Sequence, residues 1–172
     1  MNLEEEILRE HSRRQAERIA RWVGKDRRRF SRLMDAFLRG EYRVTQRSAW
    51  VVSICADRYP ELIGPHLGRM IARMRQPLVH EAVRRNVVRI LERVAIPARL
   101  QGTVATVCFD YLASADASIA VKVFSMTVLA RIAAEQPDLG RELRLEIERQ
   151  LPYASSGFRS RARRVMEKLG KT

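Results

Sequence analysis

At 172 residues and 46% hydrophobic content, the chain has the composition of one globular domain with a core of its own, which excludes a disordered polymer. Its formal charge of +13 points to polyanionic partners, whether nucleic acid, an acidic protein face or an anionic membrane surface. Residues 100–157 carry five Lys/Arg against seven Asp/Glu, a net of −2, so the basic surface belongs to the first half and the last fifteen residues.

The first stretch predicts a capping helix over residues 1–24. Asn2 with Glu5 three residues on reads as a helix start, Leu3, Ile7, Ile19, Ala20 and Val23 supply an intermittent apolar stripe, and Gly24 ends it. The first pair, residues 26–59, opens with Asp26 as N-cap. Phe30, Leu33, Met34, Phe37 and Leu38 then fall on one helical face before Gly40. Thr45 is expected to cap the second helix of this pair, which carries Trp50, Val51, Ile54 and Cys55 into the core and stops at Tyr59-Pro60.

The second pair, 61–95, begins near Pro65, a residue suited to a first helical turn, and breaks at Pro77 before Val83, Val87, Ile90 and Leu91. The third, 97–136, turns at Ser114–Ser118. Its second helix, with Val121, Val123, Phe124, Met126, Val128 and Leu129, is apolar almost all round and is expected at the centre of the core. The fourth, 138–170, uses Leu139, Leu143 and Ile147, breaks at Pro152 and resumes after Ser155 with Phe158, Ala162 and Val165. No run alternates polar with β-branched residues, so no sheet is expected.

One pattern recurs. Val83-Arg84 followed by Val87 and Leu91 is echoed by Gln46-Arg47 with Trp50 and Ile54, by Val121-Lys122 with Ser125 and Leu129, and by Phe158-Arg159 with Ala162 and Met166. The basic residues Arg47, Arg84, Lys122 and Arg159 lie 37, 38 and 37 positions apart. A near-constant period of that length marks stacked helical repeats. Two helices per period, the second opening apolar-Arg, resemble the HEAT repeat of the HEAT/armadillo group over about residues 26–170, and Asp116 matches an Asp common in that family's inter-helix turn. The resemblance implies an all-α chain, a right-handed α-α superhelix of four helix pairs plus the N-terminal cap, in a single domain over 1–172.

Segments such as Gly40-Glu-Tyr-Arg-Val-Thr-Gln-Arg-Ser-Ala-Trp-Val-Val-Ser53 and Gly157-Phe-Arg-Ser-Arg-Ala162 further resemble a small bacterial HEAT-like family without a settled function. Relatives of that kind are sometimes labelled adenylosuccinate lyase, but the Ser-rich signature loop and long helical bundle of that enzyme have no counterpart here. In HEAT repeats the recurring Arg bridges neighbouring turns, which implies a structural part for Arg47, Arg84, Lys122 and Arg159.

Catalytic patterns are missing. His11, His66 and His80 are scattered without a nucleophile motif, and no His/Cys cluster has zinc-ligand spacing. Neither the Walker pattern nor the dinucleotide Gly fingerprint is present. Cys55 and Cys108 sit in apolar helical patterns and read as buried packing thiols. The acidic N-terminus is unlike a signal peptide and no apolar run approaches the roughly 18 residues of a membrane span, so the expectation is a cytoplasmic chain with no membrane, cofactor, metal or small-molecule substrate.

On the helix after His80, Arg85 and Arg89 lie one turn apart away from the apolar face, with Arg93 beyond. With Arg43 and Arg47 before, and Arg161, Arg164 and Lys168 after, they form a discontinuous basic track on the second helices, which usually line the concave face of such a stack. The leading reading is a non-catalytic scaffold binding an acidic protein partner there. The alternative is sequence-independent nucleic-acid binding through the same arginines. A third reading, an alkylation-repair-like DNA glycosylase, needs an aspartate and aromatic rings meeting in one groove, for which Trp22, Trp50, Asp57 and Asp110 are the available residues.

Overall fold

The computed structural model describes residues 1–170, and among these every regular element is helical. The chain gathers into two compact units, Met1–Ile90 and a second beginning at Leu91.

In the first unit α1 (Leu3–Arg9) and α2 (Arg13–Val23) replace the single capping helix expected from the sequence. The break has a local cause. Ser12 is an N-cap whose hydroxyl accepts from the Gln15 N–H at 3.1 Å, so a new helix starts inside the stretch. The Gln15 side chain reaches back to the Glu6 carbonyl at 2.6 Å and holds the two short helices together. Asn2 sits at the N-cap of α1 without a side-chain bond, whereas Glu4, Glu5 and Glu6 fill its first turn, where the helix dipole favours negative charge. Gly24 ends α2 in the left-handed region at φ 51°.

Helix α3 (Arg27–Arg39) starts as its sequence predicts, with Asp26 accepting from the Arg28 and Arg29 N–H groups at 2.8 and 3.0 Å. It buries Phe30, Leu33, Met34, Phe37 and Leu38. Gly40 joins it to α4 (Tyr42–Arg58) by a turn too tight for a side chain, since a Cβ there would lie 2.4 Å from the Ala36 carbonyl oxygen. Because α4 begins at Tyr42, Thr45 falls inside its first turn rather than before it. The Thr45 hydroxyl still serves the helix end by donating to the Gly40 carbonyl at 2.9 Å. Helix α4 packs against α1, α2 and α3 and is the centre of this unit. Pro60 and Pro65 each open a short 3-10 turn before α5 (Leu67–Met74), and α6 (Glu81–Leu91) follows.

In the second unit α7 (Ala98–Ala113), α8 (Ile119–Ala133), α9 (Pro137–Gln150) and α10 (Ser156–Leu169) form two successive pairs. Ser118 and Ser155 cap α8 and α10 by accepting from the Val121 and Phe158 N–H groups. Asp116 is exposed in the turn before α8, its N–H donating to the Ser114 hydroxyl at 3.2 Å. The helix expected at the centre of the core, α8, packs against α7, α9 and α10 and buries Val121, Met126, Val128, Leu129 and Ile132.

Candidate interaction surface

The recurring basic residue is a structural tie in at least three of its four places. The Arg47 guanidinium donates to the Leu8 carbonyl at 2.7 Å, the Lys122 ammonium to the Gln150 side-chain oxygen at 3.1 Å, and Arg159 to the Pro152 carbonyl at 3.4 Å. Arg84, the fourth, is half-buried. Other side chains do related work at helix ends, where the last carbonyls have no partner within their own helix. Arg29 donates to the Trp22 carbonyl at 2.6 Å, Gln150 to the Leu112 carbonyl at 2.7 Å, and Arg131 to the carbonyls of Leu91 and Val94 at 2.6 and 3.0 Å. Each of these bonds is a charge-assisted or polar cap supplied from elsewhere in the same unit.

The eight candidate residues divide accordingly. Arg47, Arg89 and Arg161 are half-buried and committed. Arg89 pairs with Asp57 at 3.1 Å, while Arg161 meets Glu92 at 2.6 Å, bonds the Thr127 hydroxyl and lies over the Phe124 ring. Arg43, Arg85, Arg93, Arg164 and Lys168 are exposed. Of these, Arg43, Arg85 and Arg164 make no ion pair or hydrogen bond among the described residues. The Tyr42 and His80 rings, 4.3 Å apart, set the first turn of α4 against the residue preceding α6, so Arg43 and Arg85 extend from neighbouring helix starts.

Two cavities concentrate polar chemistry. In the first unit a cavity of about 430 Å³ is lined by Arg13, Glu17, Trp50, Asp57, Arg58 and Arg89. Trp50 is 39% exposed there, its indole meeting the His11 ring edge-on at 6.0 Å. The sequence placed Trp50 in the core. In fact the inner face of α4 is filled by Thr45, Ser48, Ala49, Val52 and Cys55, small and polar residues that turn the indole outward. Trp50 and Asp57 therefore do share a site, but Asp57 is held by Arg89, and Glu17 by Arg58. Trp22 lies instead under the Arg29 guanidinium, 4.8 Å from ring centre, and Asp110 belongs to the second unit.

In the second unit a cavity of about 360 Å³ runs between α8 and α10. Ala130, Ala134, Val165 and Leu169 form its floor, and Arg131, Arg161, Arg164 and Lys168 its rim. Three of the candidate residues meet at this one place, and Arg131 is the residue that sequence reasoning missed. Its signal was present, since Arg131 is one helical turn from Ala134 and Thr127 on the side of α8 that carries its few polar groups.

The remaining titratable groups argue for structure. Burial pushes the Cys55 and Cys108 thiols up to about 12, so neither is a nucleophile near neutrality. Burial, reinforced by Arg69, lowers His66, and burial lowers His80, whose Nδ1 accepts from the Ala82 N–H at 2.9 Å. The hydrogen bond from Arg149 holds Glu146 below the usual carboxylate range. No group of His, Cys, Asp and Glu among the described residues is arranged to hold a metal ion, and no helix is long and apolar enough to cross a membrane.

A family model described as a HEAT repeat domain matches residues 3–169. The chain belongs to the HEAT repeat family. No curated protein and no solved structure matches it significantly. HEAT repeats are commonly protein-interaction scaffolds and typically non-catalytic. In this HEAT repeat domain the match covers the short α1 and α2 together with the paired helices.

Proposed function

We propose that this HEAT repeat chain is a non-catalytic interaction module that binds an acidic protein segment through arginines on the second helices of its pairs. The observation that carries the reading is the division among those arginines. Arg47, Arg89 and Arg161 are consumed by internal bonds, while Arg43 on α4, Arg85 on α6 and Arg164 on α10 are exposed with no partner among the described residues. An exposed guanidinium without a carboxylate costs nothing to desolvate from an existing pair and is available for bidentate recognition of a partner's carboxylate. The +13 charge would steer such a partner at long range.

The test uses the full chain and its Arg43→Glu, Arg85→Glu, Arg164→Glu triple variant with fluorescent acidic peptides and, separately, a short DNA duplex. Selective binding of acidic peptides, lost in the triple variant, supports the proposal. Tight duplex binding with no peptide binding refutes it in favour of the nucleic-acid reading. Affinity would then fall by roughly 0.9 log units per log of salt for each phosphate neutralised.

A further inference from the structure

We infer that the cavity between α8 and α10 receives one bulky apolar side chain, Leu, Phe or Trp, from an acidic helical segment of a partner protein, whose flanking carboxylates seat on Arg164 and Lys168. The inference deepens the proposed function and rests on it, since it names the part of an acidic partner that the second unit recognises.

The floor comes first. Helix α8 points Val128, Leu129 and Ile132 into the core, but on the side facing the cavity it carries Ala130 and Ala134, one turn apart. Those two methyl groups leave the space open opposite Val165 and Leu169 of α10. At about 360 Å³ the space falls at the small end of the range of about 300–1,000 Å³ typical of ligand pockets, suited to a single large side chain. Water against such a floor is readily displaced by an apolar group.

The rim decides what accompanies the apolar group. No carboxylate lines the cavity. The charge of Arg161 is balanced by Glu92. Arg131 is bound to two neutral carbonyls, which fix its position and leave its charge uncompensated. Arg164 is exposed, and Lys168 follows it one helical turn later on α10. Two carboxylates one turn apart, at i and i+4 of a helix and beside the apolar anchor, match that spacing. A cationic segment would meet repulsion at the rim, so the charge pattern selects against such partners. Nucleic acid fits less well, because bases bind by stacking on aromatic rings and this floor is entirely aliphatic.

The experiment measures binding of the full chain to fluorescein-labelled helical peptides by anisotropy. The reference peptide has one Phe beside two Glu that lie one helical turn apart. Its relatives carry Ala in place of Phe, or Lys in place of each Glu. Two protein variants accompany them: Ala130→Leu with Ala134→Leu, which fills the cavity, and Arg164→Glu, an exposed change that leaves the core untouched. Circular dichroism confirms that each is folded.

Removing the Phe is expected to weaken binding on the order of 10–100-fold, the value of burying one large apolar side chain, and filling the cavity to do the same. The Lys peptide should not bind, and Arg164→Glu should weaken the reference peptide about tenfold or more. Equal affinity for the Phe and Ala peptides, unchanged on filling the cavity, overturns this inference and leaves the acidic-partner reading standing. Absence of binding by every acidic peptide removes both. Should the cavity variant prove unfolded, the comparison of the two peptides on the unmodified chain, with Arg164→Glu, decides alone.

Discussion

Replacing Arg131 by Ala removes two bonds at once, to the carbonyls of Leu91 and Val94 at 2.6 and 3.0 Å. A hydrogen bond from a charged donor contributes about 1.5–3 kcal/mol, and a buried carbonyl left without a partner costs a comparable amount. Arg131 is exposed as a residue, so water can replace much of what it supplies, and each bond falls below that range, to about 1–1.5 kcal/mol. The expected loss for the pair of bonds is about 2–3 kcal/mol, or roughly 5–10 °C in Tm for a chain of this size. Arg131→Lys, with one compact ammonium in place of a fork, should recover about half.

Urea denaturation followed by far-ultraviolet circular dichroism measures the loss. Tryptophan fluorescence adds a second reading, because Trp22 and Trp50 both lie in the first unit and the second unit has neither. Coincident transitions in both signals, shifted together by the variant, indicate one cooperative domain over the whole chain. A shift in circular dichroism alone places the damage in the second unit. A loss under about 0.5 kcal/mol, within the range of ordinary surface substitutions, would refute the capping role of Arg131.

Leu33→Ala, at a fully buried position on α3, should cost about 2–5 kcal/mol in the same denaturation assay. Histidines 66 and 80 both have lowered pKa values in the folded chain, so the unfolded chain binds more protons below about 6.5 and stability should fall as the pH drops through that point. His80→Asn, which keeps an acceptor for the Ala82 N–H and does not titrate, should flatten part of that fall in thermal melts at pH 7 and about 5. Cys55 and Cys108 should resist a thiol reagent near neutral pH and react only as fast as the chain opens. Rapid labelling of the native protein would contradict their burial.

Much of the fold was legible because its signals are local. Phe30 to Leu38 mark the inner face of α3 at helical spacing, Asp26 caps it, and Pro152 and Ser155 punctuate the last pair in the sequence as they do in space. The break between α1 and α2 was equally local, since Ser12 and Gln15 form an S-x-x-Q start signal, but the intermittent apolar stripe across it read as one helix. Trp50 was not legible from hydrophobicity. Its helix buries Thr45, Ser48 and Ser53, whose hydroxyls are satisfied by carbonyls or by Asn86, and an apolar count cannot see that polar groups so bonded occupy the core. The candidate arginines were named from the sequence as a set, but the sequence held no information on which were already engaged. Arg89 looks like Arg85 until Asp57 is placed beside it, 32 residues away in the chain.

The carbonyl ties give this chain an unusual relation between length and integrity. The end left open at Leu8 is closed by Arg47, that at Leu112 by Gln150, and that at Leu91 by Arg131, in each case about 40 residues further along. A helix is therefore finished only after the following pair has been made. Cutting the chain back at what looks like a clean repeat boundary would delete two helices and also unseal the end of one that remains. Deletion series that assume interchangeable repeats should lose stability one step earlier than the helix boundaries suggest.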